Sequence, residues 1–584
     1  MHGDGHDYAL DALERGAGAL LLEQGRLGAL LAAAPDLREH ARATGTAVLV
    51  VPDTREALKA YAAHILRQWQ PQVIAVTGST GKTTTKEAIA DVLGILAPTF
   101  RSWRNYNDLL GLPLSLGALE PTHRYAVVEL GADHPSEIAD LCALVRPWAG
   151  VVTNVSPAHL RYFGSVNALG TELGRLPALL PSDGLAILNG DDSATRAMVR
   201  HTSAHALFYG LGDASDGFPA YALEPLGARE PPALTLRASG APGAHPLVFP
   251  HLHGDHWAYV VLAALAVGQA LGVEHDAALE VLRRLRPLPG RMRWLDGIDN
   301  LVLLDDSHNA TPASAAAGLR ALHAIAQQRM APAIAVLGDM LHLGEIEERA
   351  HRELGRLAAS CADYLVARGA YAQLLADEAV QCGLSPDCVA VTLPPEDAAR
   401  AVERFASAAS SPAVVYLKGS EDVRMEQVTL RLLARPEEAE HVLDRQTQAW
   451  RRVVVMRPDR PTWLEVDLSA IGQNTRLVKE LVGPRTQVLV SLKADAYGHG
   501  ALRVARTVLH NGASWLGVAT VSEAESLRTA GISAPILVFG YTAPWQAREA
   551  VRLNVRATIY AREPAQALAR AARDLDREVR VHVK

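Results

Sequence analysis

The fold of this chain is decided by the stretch Gln72-Val73-Ile74-Ala75-Val76-Thr77-Gly78-Ser79-Thr80-Gly81-Lys82-Thr83-Thr84-Thr85. Its first part is a short apolar run rich in β-branched residues, which is typical of a buried strand. Two glycines then turn the chain, and a helical pattern follows from Lys86 to Leu96. A strand, a glycine-rich loop and a helix N-terminus together form a cradle for phosphate groups, because loop N–H groups and the helix dipole face the anion.

The loop within this stretch predicts a nucleotide site that includes a metal ion. Lys82 would reach the outer phosphates, and the Thr83 hydroxyl would ligate Mg²⁺. Val76 stands where the first glycine of G-x-x-x-x-G-K-T would be, so this loop is shorter. The structural alternative is a glycine-rich turn with a helix-starting threonine, but the order of strand, loop, lysine and threonine favours phosphate binding.

Composition limits the class of protein. The 584 residues suffice for roughly three or four domains, and 49% of them are apolar, so large cores can form. The net charge of -7 is mild and argues against a nucleic-acid partner. The four cysteines show neither a C-x-x-C pair nor metal-ligand spacing, which is typical of a reducing cytosol. The start of the chain lacks a secretion signal, and the apolar run Trp257–Leu271 is too short to span a membrane. We therefore expect a cytoplasmic protein without a membrane span.

Apolar runs separated by helical patterns predict an α/β fold along the chain. In the central region the runs Tyr125–Leu130, Gly150–Asn154 and Leu185–Leu188 are nearly continuous, which indicates a parallel sheet covered on both faces. Prolines and a glycine at 287–290 interrupt this pattern before a third region with strands of its own. The predicted boundaries are 1–70, 71–289 and 290–436 for three α/β domains, 437–461 for a charged linker, and 462–584 for a further strand–helix domain.

Some elements can be placed near the two ends of the chain. The patterns predict a strand at Ala43–Val51 and a helix at Thr54–Trp69. After the linker they predict a strand at Trp463–Val466, a helix at Ser469–Leu481 and a strand at Thr486–Ser491. The last region therefore begins a new series of strands and helices.

Two polar residues follow buried strands of the central region. Glu129 ends one strand, and His159 follows another in Thr153-Asn154-Val155-Ser156-Pro157-Ala158-His159-Leu160. Ligand-contacting residues lie at this edge of a doubly wound sheet, and a buried carboxylate needs a cationic partner. A metal or phosphate role is therefore expected, with an exposed strand-end glutamate and a structural histidine as the alternatives.

Several motifs resemble those of a known enzyme family. The short phosphate loop, Glu129 and His159 are similar to the P-loop and metal-site positions of the Mur ligases, the ATP-dependent amide-bond ligases of peptidoglycan synthesis. The other similar segments are Asn105-Tyr106-Asn107, Gly111-Leu112-Pro113, Asp305-Asp306-Ser307-His308-Asn309-Ala310, Gly338-Asp339-Met340 and Lys418-Gly419-Ser420. The last three resemble the members that add D-alanyl-D-alanine to a UDP-linked tripeptide.

The resemblance implies a three-domain Mur ligase architecture, with a central P-loop parallel sheet and a Rossmann-like third domain. Residues 1–70 would be part of the domain that holds the UDP-linked substrate. ATP would phosphorylate the terminal carboxylate of UDP-N-acetylmuramoyl-tripeptide, and the amine of D-alanyl-D-alanine would attack the acyl phosphate. The implied catalytic residues are Lys82, Glu129 and His159, and the implied metal ligands are Thr83, Glu129 and His159. The implied ATP contacts are Gly78, Ser79, Thr80, Gly81, Lys82, Thr83, Thr84, His256, Arg291, Asp306 and Asn309.

The chain departs from the family pattern at several positions. The family carries a metal-binding carbamylated lysine after F-G-S, where this chain places Leu173. Glu172 could supply a carboxylate instead, but on a helix it would face another way. Trp257 follows His256 where the family has asparagine, and Glu421 follows Lys418-Gly419-Ser420 where the family usually has arginine. The first domain is also expected to be incomplete, because Met1 falls within its pattern.

The last region resembles a second family. Lys493-Ala494-Asp495-Ala496-Tyr497-Gly498-His499-Gly500 is similar to the signature of alanine racemase, a pyridoxal-phosphate enzyme with a TIM barrel. A strand-end lysine can bond covalently to a carbonyl cofactor, although most such lysines are merely solvated. The resemblance implies that Lys493 binds pyridoxal 5'-phosphate and acts as one base on alanine, and that Tyr497 contacts its phosphate.

The racemase family is homodimeric and needs a second base, a tyrosine, together with an arginine beside the cofactor. Both would lie after Lys584, so a partial barrel that does not racemise alanine alone is expected.

Three functions remain open at this stage. The first is an ATP-dependent peptidoglycan ligase fused to a racemase module. The second is a non-catalytic ligase-like scaffold for the racemase, which Leu173 and Trp257 favour. The third is an amide ligase with another acceptor, of the folate–polyglutamate type, which the segment at 305–310 and the racemase fusion argue against.

Overall fold

The computed structural model describes residues 5–33, 37–211, 221–223, 232–238, 246–408, 411–446, 466 and 468–584. The chain forms two compact units, Met1–Val454 and Val455–Lys584. The first unit contains several sheets and core clusters, and the second unit has one parallel sheet and one apolar core. Among the described residues, no helix is both long enough and apolar enough to cross a membrane.

The first unit begins with a small α/β segment. Strands Ala19–Glu23 and Ala47–Val51 pair in parallel. Asp53 accepts hydrogen bonds from the N–H groups of Arg55 and Glu56, and this cap starts the predicted helix Thr54–Trp69. The prediction of a strand from Ala43 was wrong over its first residues, because Thr44 ends a helix and the strand starts only at Ala47. The other helices of this segment are Ala9–Glu14, Gln24–Ala33 and Leu37–Thr44.

The central sheet has six parallel strands. The strand predicted before the phosphate loop is one of its inner strands, with a neighbour on each side. In spatial order the strands are Thr99–Arg101, Tyr125–Glu129, Gln72–Thr77, Ala149–Val152, Leu185–Asn189 and His205–Tyr209. The helix after the loop begins at Lys82, earlier than the predicted Lys86, and runs to Leu93. It packs against the buried helix Trp257–Ala270, which confirms that this apolar run is a core helix.

The remaining elements of the central region cover this sheet. Its other helices are Gly111–Leu116, Glu137–Val145, Leu160–Phe163, Val166–Leu173, Arg175–Ala178, Ser193–Ala197 and His275–Arg283. A small antiparallel sheet contains Tyr221–Leu223, Leu234–Ala238 and Leu247–Phe249.

The third region is a Rossmann-like sheet with one antiparallel edge strand, Arg293–Asp296. The other strands, in spatial order, are Val302–Asp306, Val414–Lys418, Ala333–Gly338, Tyr364–Arg368 and Val389–Thr392, and all of them are parallel. Its helices are Pro312–Arg329, Glu347–Cys361, Ala372–Gln381, Pro395–Ala408 and Glu426–Leu432.

The segment predicted as a linker begins with residues that belong to this third region. A short helix, Ala439–Val442, lies at the end of the third region. Ala439 and Leu443 are buried in the apolar core of that region. Arg445 is buried as well. Residues 436–446 therefore pack as part of the first unit, whereas 447–461 lie outside the described residues.

The second unit has the strand and helix order of a partial TIM barrel. Five parallel strands lie side by side in chain order: Leu489–Ser491, Trp515–Val518, Ile536–Val538, Arg556–Ile559 and Val581–Val583. The helices are Leu468–Val482, Ala501–His510, Val521–Thr529, Ala547–Arg552 and Arg562–Asp574. The strand predicted at Trp463–Val466 lies, except for Val466, outside the described residues.

Candidate active site

The phosphate loop leaves its strand at Gly78, where only glycine fits. Gly78 has a φ of +138°, and a Cβ there would lie 2.0 Å from Thr153 Oγ1. The Thr153 hydroxyl donates to the Thr80 carbonyl at 2.6 Å, and the Asn154 amide donates to the same carbonyl at 3.0 Å. The loop is therefore held by the strand end beside it, as a rigid phosphate cradle requires.

Lys82 lies at the start of the loop helix with its side chain folded onto the loop. Its Nζ donates to the Gly78 carbonyl at 2.8 Å. Burial lowers the pKa of Lys82, and the carboxylates of Glu129 and Asp133 oppose that shift only in part. The ammonium group is thus partly desolvated, so an incoming anion interacts with it strongly.

A cavity of about 530 Å³ brings the predicted ligase residues together. Every predicted ATP or metal residue except Gly78 lines it: Ser79, Thr80, Gly81, Lys82, Thr83, Thr84, Glu129, His159, His256, Arg291, Asp306 and Asn309. The cavity is wide enough for a nucleotide-sized ligand. Sequence reasoning missed other polar residues that line it, among them Asn107, Asp133 and Lys418, although Asn107 and Lys418 stand in segments that carried the resemblance.

Glu129 is a buried carboxylate with one free oxygen. The residue is 2% exposed, and its Oε1 accepts a hydrogen bond of 2.8 Å from Asn107 Nδ2. Oε2 is buried, and none of the described residues forms a hydrogen bond with it. A Cβ at Gly131 would lie 2.8 Å from Asn107 Oδ1, so this glycine allows Asn107 to approach. An orphaned carboxylate oxygen at a phosphate loop fits a divalent cation, which prefers oxygen ligands.

Thr83, the other predicted oxygen ligand, is contacted by the third region. Arg291 Nη2 donates to Thr83 Oγ1 at 3.0 Å, which joins residues 208 positions apart. Burial lowers the pKa of Arg291, while the charge of Glu129 opposes this shift. The described residues contain no group of three or more His, Cys, Asp or Glu arranged to hold a metal. Any ion here must therefore complete its shell with the hydroxyl, phosphate oxygens or water.

His159 lies at the same edge of the sheet in a left-handed conformation, with a φ of +54°. Its Nδ1 is 3.4 Å from Asp133 Oδ1. Burial lowers the pKa of His159, and the Asp133 carboxylate opposes this shift only in part. The imidazole is therefore neutral near pH 7, which is the form that ligates metals.

Asp306 and Asn309 form the wall contributed by the third region. Asp306 Oδ2 accepts from Lys418 Nζ at 2.5 Å and from the Tyr416 hydroxyl at 3.2 Å. Its Oδ1 accepts from the Met292 N–H at 3.1 Å, and Lys418 also donates to the Asn309 carbonyl at 2.8 Å. Asp306 is thus held by three donors and in turn positions the neighbouring Lys418.

Two ring nitrogens in the cavity wall are unpaired. His256 Nδ1 and Trp257 Nε1 are both buried and have no hydrogen-bond partner in the part of the chain that the structure describes. Burial lowers the pKa of His256 to about 4, so its imidazole is neutral at pH 7. One neutral imidazole and one indole N–H can bind the acceptors and donors of a purine base.

The departures from the family pattern fall in different surroundings. Leu173 is fully buried in the apolar core on one side of the sheet. Glu172 accepts from the Ile138 N–H at 3.0 Å and pairs with Arg175 at 2.9 Å. Neither Leu173 nor Glu172 lines the cavity, so Glu172 does not replace the expected lysine. Glu421 does line the cavity, and burial raises its pKa.

Lys493 and Tyr497 lie in the second unit, immediately after the strand Leu489–Ser491. The residues from Ala494 to Tyr497 all have positive φ between 52° and 56°, which makes a left-handed turn. Lys493 Nζ lies 5.8 Å from the centre of the Tyr497 ring, and the Tyr497 hydroxyl is 3.2 Å from Ser491 Oγ. An amine and a phenol hydroxyl at one strand end are suitable partners for the aldehyde and phosphate of pyridoxal phosphate.

Protein-family models and curated proteins that are similar to this chain were identified by comparison. The model for the Mur ligase middle domain matches residues 76–268, that for the Mur ligase glutamate ligase domain matches 290–421, and that for the alanine racemase N-terminal domain matches 466–584. The UDP-N-acetylmuramoyl-tripeptide--D-alanyl-D-alanine ligase of Escherichia coli is 33% identical over 359 residues, which are 61% of this chain and 73% of that protein. The Bacillus subtilis ligase of that name is 28% identical over 74% of this chain and 88% of its own length.

Solved structures agree with this result. Crystal structure I of MurF from Acinetobacter baumannii has a TM-score of 0.61 at 26% identity and covers 71% of this chain and 91% of that one. MurF ligase from Thermotoga maritima in complex with ADP has a TM-score of 0.59 at 25% identity, with 73% and 91% covered. The resemblance inferred from the motifs is thereby confirmed, as is the fold. The chain belongs to the Mur ligase family, as a MurF-type ligase followed by an alanine racemase N-terminal domain.

Proposed function

We propose that the first unit is an ATP- and Mg²⁺-dependent ligase that joins D-alanyl-D-alanine to UDP-N-acetylmuramoyl-tripeptide through an acyl phosphate. The observation that carries the proposal is one cavity in which the P-loop, Lys82 and the unpaired Glu129 Oε2 meet. The names of the similar ligases support the choice of both substrates. The proposed domains are 1–70 for the UDP-linked substrate, 71–289 for ATP and 290–436 for closure over the nucleotide.

The residues of the cavity have separate tasks in this reaction. The loop N–H groups and Lys82 bind the phosphates and neutralise the charge that moves with the transferred phosphoryl group. Arg291, Asp306 and Asn309 hold the nucleotide from the third domain. His256 contacts the adenine, with the neutral imidazole that its burial produces. Most of the catalysis is therefore positioning and electrostatic stabilisation, as phosphoryl transfer requires.

Glu129, Thr83 and His159 are the proposed metal ligands. When bound, Mg²⁺ stabilises negative charge on the phosphoryl oxygens and on the acceptor carboxylate. Glu129 presents Oε2 because Asn107 holds Oε1 in place. Arg291 donates to Thr83 Oγ1, so a metal ion at this hydroxyl would use the oxygen's remaining lone pair or replace Arg291.

The test uses the full chain with ATP, Mg²⁺, UDP-N-acetylmuramoyl-tripeptide and D-alanyl-D-alanine. Phosphate release and formation of the UDP-linked pentapeptide are measured together. We expect both products from the wild-type chain, and neither from Lys82→Ala. If the chain binds ATP but forms no pentapeptide, the scaffold hypothesis replaces the ligase proposal.

For residues 462–584 we propose a pyridoxal-phosphate domain of the alanine racemase type. When bound, pyridoxal phosphate withdraws electrons from the substrate α-carbon. Lys493 provides the amine that bonds the cofactor, and Tyr497 donates a hydrogen bond to its phosphate. The full chain is mixed with pyridoxal phosphate, reduced with borohydride, digested and analysed by mass spectrometry. We expect the label on Lys493 and its loss in Lys493→Ala but not in Lys479→Ala. Labelling that Lys493→Ala leaves unchanged refutes the assignment.

A further inference from the structure

The segment Leu443-Asp444-Arg445 lies between the parts of the chain that the family models match. The glutamate ligase domain match ends at residue 421, and the racemase match begins at 466. Leu443 is 3% exposed, and the Arg445 side chain is 2% exposed. A chain that merely connected two domains would not bury a charged side chain, because burial of an arginine is costly. The burial of this segment therefore indicates a role beyond connecting two domains.

Arg445 fastens the backbone of the cavity wall. Its Nη1 donates to the His308 carbonyl at 2.9 Å, and its Nη2 donates to the Ser307 carbonyl at 2.7 Å. Nη2 also donates to Glu426 Oε2 at 2.9 Å, and Glu426 is fully buried. The planar guanidinium suits such a set of simultaneous bonds, whereas a lysine cannot make them together. The charge is thus balanced inside the protein, and two consecutive carbonyls are fixed.

Asp444 holds the side chain of His308, in the same cavity wall. Its Oδ2 lies 2.6 Å from His308 Nδ1. Burial would raise the pKa of Asp444, but the hydrogen bond from His308 and the charge of Arg445 lower it well below its usual range. Burial lowers the pKa of His308 to about 4, so its imidazole is neutral near pH 7. The ionised carboxylate can only accept, so His308 carries its proton on Nδ1 and keeps Nε2 as an acceptor. His308 itself lines the cavity.

Asp444 also reaches the other side of the cavity. Its Oδ1 is 4.0 Å from Arg104 Nη1. The carbonyl of Arg104 accepts from Lys86 Nζ at 2.7 Å, and Lys86 lies on the loop helix. Asn105, next to Arg104, lines the cavity. The Asp444 carboxylate thus lies between the cavity wall formed by residues 306–309 and the loop that follows the strand Thr99–Arg101.

We infer that Asp444 and Arg445 are positioning residues for the nucleotide. They hold Ser307 and His308 so that Asp306 and Asn309, on either side, keep the geometry in which they bind ATP. This inference rests on the proposed ATP-dependent function of the first unit. It means that the ATP site includes residues beyond the family match, immediately before the stretch that leads to the racemase domain.

The test compares matched variants in the full chain. Asp444→Ala removes the acceptor for His308, while Asp444→Asn keeps an amide oxygen in its place. Arg445→Met removes both carbonyl contacts at similar length, while Arg445→Lys keeps the charge. The controls are Glu437→Gln and Arg435→Met, which lie a few residues earlier in the chain, are exposed and are far from His308 in sequence; Arg435 pairs with Glu438. Each variant is assayed for ATP binding by calorimetry, for melting temperature, and for kcat and KM of each substrate.

We expect Asp444→Ala and Arg445→Met to raise the Kd and KM for ATP about tenfold, because each variant removes contacts that hold His308 and the residues beside it. The KM for D-alanyl-D-alanine should stay within about twofold, and Asp444→Asn should recover most of the affinity. Unchanged ATP affinity in folded Asp444→Ala overturns the inference, as does a parallel rise in every KM. If Arg445→Met does not fold, the Asp444 pair decides. If the wild-type chain binds no ATP, the proposed function fails, and the inference fails with it.

Discussion

Exchange of Glu129 for glutamine tests the metal assignment most directly. The substitution keeps the shape of the side chain and the acceptor for Asn107, but it removes the charge and replaces the unpaired Oε2 with an amide. The substitution removes the desolvation cost of a buried carboxylate, although the amide NH2 that replaces Oε2 is itself without a partner. The charge also attracts Lys82 and Arg291, so its loss removes some stabilisation as well. The two effects oppose each other. Without Mg²⁺, we expect the free energy of unfolding to change by no more than about 1 kcal/mol.

With Mg²⁺ the same variant should behave very differently. Loss of a carboxylate ligand is expected to weaken the Mg²⁺ dependence of ATP binding by at least about tenfold. Urea unfolding without metal and calorimetric ATP binding across a Mg²⁺ titration measure the two effects. Glu172→Gln is the matched control, because Glu172 is 4% exposed, has two hydrogen-bonded partners and lies outside the cavity. It should lose about 1 kcal/mol of stability and keep its Mg²⁺ response.

One pair of results would refute this reasoning. If Glu129→Gln loses more than about 3 kcal/mol without metal, Glu129 acts as the partner of a buried ion pair. If its Mg²⁺ response is also unchanged, the carboxylate is structural and the metal lies elsewhere.

The remaining predictions concern the base site, pH and the missing lysine. Trp257→Phe removes the unpaired indole N–H, so the KM for ATP should rise about fivefold to tenfold, and the smaller ring in this buried helix should also lower the melting temperature. The pKa of His256 is about 4 in the folded chain and near 6.5 when unfolded, so the unfolded chain binds more protons between these values. Stability should therefore fall as pH drops from 6.5 to 4, by up to about 3 kcal/mol, and urea unfolding of His256→Gln should show a smaller fall. Leu173→Lys places a charge in an apolar core, so thermal unfolding should show a strong loss of stability and no change in metal dependence.

The loop, the parallel sheet and much of the site could be predicted from local sequence. A β-branched run followed by two glycines and Lys82 specifies the strand, turn and helix start within a few residues. Glu129 and His159 could be assigned to one edge because parallel strands bring their carboxyl ends together. The errors are boundary errors. The helix starts at Lys82 because Gly81 takes the left-handed turn before it, and no sequence period records that turn.

The contacts that join distant residues could not be predicted. Arg291 meets Thr83 across 208 positions, and Asp444 meets His308 across 136. Both pairs depend on how the third region folds against the cavity, which no local pattern encodes. The charged, proline-flanked composition of 437–461 predicts a linker, whereas the structure packs residues up to Arg445 against the third region. The buried residues Ala439, Leu443 and Arg445 lie among exposed and half-buried polar residues, so composition concealed the few residues that pack.

The residues that depart from the family pattern lie in different surroundings, so they affect the site to different degrees. Leu173 belongs to the core, whereas Trp257 and Glu421 line the cavity and alter its contacts without closing it. A scaffold without activity would gain stability by pairing or removing the free oxygen of Glu129 and by exposing Lys82 to solvent. This chain instead keeps a desolvated lysine at the loop and a carboxylate oxygen without a partner. The unpaired carboxylate oxygen is costly in the free protein, and the desolvation of Lys82 is offset only in part by the Gly78 carbonyl and the nearby carboxylates, so a bound cation and anion would relieve both costs. A protein keeps such unfavourable groups where a ligand compensates them, here a nucleotide and a metal ion. Their presence therefore argues for catalysis over a scaffold role.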